Sequence, residues 1–439
     1  MNQPPVYPSF REALAFWLKL GFISFGGPAG QISIMHAYLV EKKKWISDSR
    51  FLHAMNYCML LPGPEAQQLA TYTGWLMHGI RGGLAAGLLF ILPSAVMLWV
   101  LSLIYVTYGT IPVITAMFSF LKPAVVAIVL TALIKIGKKS LTSPIHYVVA
   151  CIAFAMIYFF NISFPLIILF ALITGAVMSR IKNVSKSPNH LANQQHDADE
   201  STYLINQTTL MYSNGFSSKV FSMLLPVFFL LWLAPLAILY AGNHFHFAFY
   251  QQLSLFFTKA AFTSFGGAYA VLPYVAQMSV HTFGWLTPYQ MIDGLALGET
   301  TPGPLIMVLS FVGFIAGYNF SDGNIGLATL GLALTTFYTF LPSFFFIFAG
   351  APIIERTQSN AYLKSVIMYV SAAVTGVILH LGFFFGKAVI MPSPPVILWL
   401  PLTWLGISFV FLQFFKVNMI GWIGVSLAIG IITFILQGL

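Results

Sequence analysis

Four charged side chains lie deep in apolar sequence that offers them little water: Lys19, Lys259, Glu65 and Glu299. A charge kept inside a membrane-length apolar segment is costly, and usually pairs with another, exchanges a proton or binds an ion. All four lie beside Gly/Pro breaks. Lys19 and Lys259 each precede a Gly-Gly pair, Gly26-Gly27 and Gly266-Gly267, by seven residues. Glu65 and Glu299 flank Pro62-Gly63-Pro64 and Pro302-Gly303-Pro304 on opposite sides. Breaking a helix in lipid frees backbone N–H and C=O groups that cost several kcal/mol each unless they line a cavity or hold a ligand. Half-helices that begin after Gly27, Gly63, Gly267 and Gly303 aim N–H groups and positive dipole ends at the breaks. Ser24, Ser264, Thr300 and Thr301 add hydroxyls there, and Gln31, Gln67 and Gln68 add amides. Donors and lysines together predict an anion site. Glu65 and Glu299 are expected either to exchange protons or to pair with Lys19, Lys259 or Arg81.

The elements that position these groups are apolar and duplicated. Of 439 residues 58% are hydrophobic and 7% charged, with a mean hydropathy of +0.85, so polar surface is too scarce for a water-soluble globule of this size. The fold class expected is an all-α polytopic membrane protein. The formal charge of +9 comes from Lys and Arg in short loops, with no basic stripe of the kind that binds nucleic acid. Adding 240 carries Lys19, Phe22, Ser24, Phe25, Gly26 and Gly27 onto Lys259, Phe262, Ser264, Phe265, Gly266 and Gly267, Trp45 onto Trp285, and Pro62-Gly63-Pro64 onto Pro302-Gly303-Pro304. Further on the offset is 249, as Leu92-Pro93-Ser94 maps onto Leu341-Pro342-Ser343, which places a nine-residue insertion near Asn319 to Asn324. The expected organisation is a first repeat over 1–180, a polar, disordered cytoplasmic linker over 181–218, one extra transmembrane helix over 219–242, and a second repeat over 243–439. Lys122, beside Pro123, ranks below Lys19 because its counterpart is Ser371; His53 and its counterpart Asp293 rank lower still. Cys58 and Cys151 in apolar runs support neither disulfide nor metal, and His244 and His246 read as surface residues.

Loop charge sets orientation. Lys42, Lys43, Lys44 and Arg50 face a counterpart, 282–290, without Lys or Arg, while 107–112 has none and its counterpart 356–364 has Arg356 and Lys364. The two repeats are therefore expected to be inverted, with the N-terminus cytoplasmic and the C-terminus outside. The broken segments are expected as re-entrant hairpins in preference to full crossings, because crossings would put the basic loop outside. Met1 to Arg11 is read as lacking a removable signal peptide.

Taken together, Phe25-Gly26-Gly27-Pro28, the Trp45 loop, Leu61-Pro62-Gly63-Pro64-Glu65-Ala66-Gln67-Gln68, Phe265-Gly266-Gly267-Ala268-Tyr269 and Glu299-Thr300-Thr301-Pro302-Gly303-Pro304 closely resemble the chromate ion transporter family in its long, two-domain form. The resemblance implies export of chromate from the bacterial cytoplasm by an inner-membrane protein without a cofactor, giving chromate resistance. It departs from the motif at Ala268, where the first repeat has Pro28. The expected partners are a chromate- or sulfate-like oxyanion and the lipid bilayer, with no nucleic acid or metal; a homodimer is compatible with the sequence. A sulfate or other oxyanion transporter is the alternative, an anion channel a further one, and no nucleophile–base or metal-ligand pattern points to an enzyme.

Overall fold

The computed structural model describes residues 7–25, 27–181, 202–206, 218–242, 246–265, 267–354, 361–392 and 396–437. Gly26, Gly266 and most of the expected linker lie outside the described residues. The chain forms α1 (Phe10–Ile23), α2 (Gly27–His36), α3 (Asp48–Cys58), α4 (Glu65–Tyr108), α5 (Pro112–Ser140), α6 (Pro144–Tyr158) and α7 (Phe164–Ile181). After α8 (Ser218–Ala241) come α9 (Phe247–Thr263), α10 (Ala268–Gln277), α11 (Pro288–Thr300), α12 (Val308–Phe320), α13 (Ile325–Ile354), α14 (Ala361–Ile390), α15 (Trp399–Gln413) and α16 (Met419–Gln437). Among the described residues seven helices are long and apolar enough to cross a membrane by length and composition: α4, α5, α7, α8, α13, α14 and α16.

Sequence-local chemistry fixes the ends. Ser9 caps α1 by accepting from Glu12 N at 3.2 Å, Ser47 caps α3, and Thr287 with Gln290 forms a reciprocal capping box on α11. Proline opens α5 and α6, where its missing N–H costs nothing. The helix α4 reverses within itself at His78–Gly79, where φ turns positive at the glycine. Across that reversal Gly74 and Gly82 meet so closely that a Cβ on either would strike the other's carbonyl oxygen. The second half makes the corresponding reversal through a longer turn, 321–324, between α12 and α13. The changed offset in the sequence falls at this turn.

The backbone in the two Trp loops matches bond for bond at a distance of 240 residues. Lys43 N, Trp45 N and Ile46 N donate to Tyr38 O, Leu39 O and Leu39 O at 2.9, 2.8 and 3.4 Å; Phe283 N, Trp285 N and Leu286 N donate to Met278 O, Ser279 O and Ser279 O at 2.8, 2.8 and 3.3 Å. A wide helical turn precedes each loop, Ala37–Lys42 and Met278–Thr282. At the base of the first, Lys43 bonds Glu12 at 2.7 Å, and this carboxylate raises the Lys43 ammonium above its ordinary range.

The helices form two bodies. In one, α1 packs on α4, α9 on α13, α12 on α13 and α4, and α4 on α13; in the other, α14 packs on α5, α6 and α7, while α5 packs on α15 and α16. The second body is tied by Ser140 Oγ and Thr375 Oγ1 at 2.8 Å and Ser179 Oγ to Ser365 Oγ at 2.8 Å. Between the bodies the halves differ. The helices α10 and α11 pack on α14 and α5, whereas α2 and α3 make no comparable contact among the described residues. Burial follows: α10 is buried along nearly its whole length, α2 only at Gln31 and Met35.

Three sets of contacts relate the ends of the elements. Leu204 N and Ile205 N donate to Lys44 O and Trp45 O, and Ser47 N donates to Ile205 O at 2.8 Å, so part of the expected linker docks on the basic loop with Ile205 buried. Pro8 O is bonded to His78 Nε2 at 3.0 Å. In the second half Phe320 stacks on Phe249 at 4.1 Å.

Candidate functional site

The breaks meet tip to tip across the two halves. Gly63 N donates to Ser264 O at 3.2 Å, and Gly303 N donates to Ser24 O at 2.8 Å. Each Pro-Gly-Pro break thus bonds the Gly-Gly break of the other half, a reciprocal exchange of one contact between equivalent positions. The two serines share a backbone shape, with φ −80 and ψ 72 at Ser24 and φ −80 and ψ 52 at Ser264. Gln31 stitches the junction, its Nε2 donating to Ser24 O at 3.3 Å and Gly303 O at 2.5 Å.

Glycine is required at Gly63 and Gly303 on two counts. Their φ values are +128 and +97, and an added Cβ would lie 2.5 Å from Ser343 Oγ at the first and 2.8 Å from Ser94 Cβ at the second. Ser94 and Ser343 are buried and come from the middles of α4 and α13. The sequence motifs did not single them out as site residues; the signal was their recurrence in Leu-Pro-Ser at the 249 offset.

Many of the expected side-chain donors are turned inward. Ser264 Oγ donates to Ala261 O at 2.8 Å, Thr300 Oγ1 to Leu297 O at 2.7 Å and Thr301 Oγ1 to Gly298 O at 3.0 Å. Gln67 Nε2 donates to Thr71 Oγ1 at 3.0 Å, and Gln68 Nε2 to Pro62 O at 2.8 Å. The physical reason is local: a helix ending in lipid leaves carbonyls without partners, and the nearest hydroxyl or amide satisfies them first. Ser24 Oγ, Ser94 Oγ and the Oε1 atoms of Gln31, Gln67 and Gln68 remain buried without partners.

The charges also sort differently from expectation. Lys19 and Lys259 are exposed on α1 and α9, beside exposed Leu18, Phe22, Leu255 and Phe262. Among the described residues neither lysine, nor Arg81, forms an ion pair with Glu65 or Glu299. Glu299 is buried and instead accepts from the Tyr269 hydroxyl at 2.6 Å. Glu65 reaches the other half, since a Cβ on Gly267 would lie 3.6 Å from its Oε1. Gly27 opens α2 with φ +71. The junction therefore gathers both carboxylates, hydroxyls and amide oxygens, with both lysines on exposed faces.

The chain matches the family model described as Chromate transporter over residues 11–176 and 251–431, leaving out the linker and α8. It is 29% identical over 376 residues to a chromate transport protein of Pseudomonas aeruginosa, covering 85% of this chain and 80% of that one. To a probable chromate transport protein of Synechococcus elongatus it is 27% identical over 381 residues, covering 85% and 84%. An uncharacterized transporter of Methanocaldococcus jannaschii is 24% identical over 423 residues, covering 96% and 94%. No solved structure matches the chain.

Proposed function

The chain belongs to the chromate transporter family, and from that premise we propose that it exports chromate, or a closely similar tetrahedral oxyanion, by alternating access around the junction of opposed breaks. The observation that carries this reading is the reciprocal pair of bonds from Gly63 to Ser264 and from Gly303 to Ser24. Half-helix ends gathered at one point, with N-terminal N–H groups and two unpartnered serine hydroxyls, make a polar centre inside an apolar bundle.

Re-entrant hairpins fit the contacts. From the reversal at His78 the chain runs through the rest of α4, then α5, α6 and α7, before reaching the linker; with α6, 15 residues long, taken as a short crossing beside the three longer ones, four crossings return it to the same side. Pro8 is bonded to His78 and Lys44–Ser47 to the linker residues Leu204 and Ile205, so α1 and α2 begin and end on that side as well. The basic loop makes it the cytoplasmic side. By the same count the loop at 283–287 and the C-terminus lie outside, and the two halves are inverted. Packing of α10 and α11 on α14 and α5, with α2 and α3 left open, corresponds to an inward-facing state sealed on the outside.

Glu65 and Glu299 act as proton carriers in this account. Among the described residues neither carboxylate has an ion-pair partner, and the only cation within electrostatic reach of Glu65 is Lys139, so a dianion binds when at least one of the two is protonated. A dianion leaving with one proton carries one net negative charge, and with the cell interior negative its exit gains about 2.3 kcal/mol per 100 mV. Lys19 and Lys259 attract the anion from the exposed faces.

The test is chromate uptake into inside-out bacterial inner-membrane vesicles, energised or not, with sulfate as competitor and lumenal pH recorded. Saturable uptake that acidifies the lumen is expected. Strong block by sulfate would move the natural substrate to the wider oxyanion class, and no uptake above empty vesicles with inserted protein would overturn the reading.

A further inference from the structure

A second polar cluster lies away from the junction, where the two bodies touch. Lys122 of α5 and Asp293 of α11 approach to 3.6 Å, and Tyr105 of α4 donates its hydroxyl to Asp293 Oδ2 at 2.9 Å. The Lys122 ammonium lies over the Tyr289 ring, 4.7 Å from its centre. These groups line a cavity of about 200 Å³ whose wall also includes Thr115, Thr287 and Gln290. A water takes roughly 30 Å³, so the space admits a five-atom anion with some of its water. On the topology proposed above, which this inference rests on, the cavity opens to the outside.

The cluster is under-bonded in a specific way. At 3.6 Å the Lys122–Asp293 contact is longer than a hydrogen bond, and a ring face takes no N–H in full, so the ammonium keeps donors for a ligand. Asp293 is 3% exposed, and its Oδ1 has no hydrogen-bond partner. While it is ionised, as Lys122 beside it favours, a carboxylate oxygen accepts and cannot donate. It therefore welcomes an O–H and repels a bare anionic oxygen.

We propose that this cavity is an outer oxyanion site in which Lys122 binds the anion and the Asp293 carboxylate in its wall accepts a hydrogen bond from an O–H that the anion retains. The ligand class is a tetrahedral oxyanion of a weak acid. Hydrogenchromate and hydrogenphosphate keep such a hydrogen near neutral pH, and sulfate does not. One carboxylate thus supplies the distinction between chromate and sulfate that size and charge cannot.

The test reads occupancy of the cavity directly. In the full chain with Cys58 and Cys151 replaced by serine, Thr115→Cys is labelled from outside with a membrane-impermeant thiol reagent. Phosphate and sulfate serve as probes, since neither oxidises thiols. Phosphate is expected to protect the thiol at a concentration at least about tenfold lower than sulfate, the worth of one hydrogen bond to a charged group. Asp293→Asn is expected to narrow that gap by improving sulfate. Lys122→Gln is expected to abolish protection by both, and Lys122→Arg to keep it, with unprotected labelling reporting that each variant is folded. Equal protection by the two anions, or protection that survives Lys122→Gln, overturns the proposal. The labelling is done on intact cells, and chromate flux of the same protein in inside-out vesicles separates it from the export reading: flux without protection defeats only the outer site, and protection without flux only export.

Discussion

At the residue scale the account rests on Gly63 and Gly303. Their positive φ and close serine neighbours predict that Gly63→Ala or Gly303→Ala destabilises the protein by about 1–3 kcal/mol, measured as a fall in thermal midpoint in detergent. Midpoints equal to native would remove the claim that these breaks are locked against each other. Lys19 makes a different prediction. It is exposed and without an ion pair among the described residues; the role proposed for it is through its field, so Lys19→Gln should raise the KM for flux several-fold at low salt and little at high salt. A fall in kcat at every salt concentration would instead put it at the bound anion. The identity of the junction residues was legible because glycine and proline punctuate an apolar helix so sharply. Their bonding was not: whether Thr300 faces a ligand or its own helix depends on which carbonyl is left unpaired, and no spacing in the sequence reveals that.

At the element scale the claim is that each pair of broken helices enters and leaves on one side. Lys42 and Thr282 are equivalent positions, both exposed, at the ends of the two wide turns. Lys42→Cys is expected to react with an impermeant thiol reagent only from the cytoplasm, and Thr282→Cys only from outside. Reaction of both from the same side would contradict inversion. The helix pairs and the loop-charge bias were readable because periodicity and Lys/Arg counts are local properties. The reversal inside α4 was harder to read, since His78–Gly79 interrupts the apolar run for only two residues. Docking of Thr202–Asn206 was not readable at all: Ile205 is buried by Ile46 and its neighbours, far away in the chain, and a polar segment carries no mark of such a partner.

At the scale of the whole molecule, the proposed alternating access has the body holding the junction move against the body built on α5 and α14. A bifunctional thiol reagent joining His281→Cys to Phe384→Cys, whose native rings lie 5.2 Å apart across the bodies, should stop flux. Joining Ser140→Cys to Thr375→Cys, within one body, should leave it nearly unchanged. The recurring Gly/Pro breaks were plain in the sequence, yet the asymmetric packing that the proposal reads as an inward-facing state lies between non-equivalent surfaces and has no sequence signature. The most direct measurement is chromate uptake with lumenal pH in inside-out vesicles carrying the native chain or Glu299→Gln, a change that keeps an acceptor for Tyr269 and removes the titrating group. The account predicts saturable uptake with lumenal acidification in the native chain, and at least about a tenfold loss of proton-linked uptake in the inserted variant. Native rates and native acidification in Glu299→Gln would contradict it.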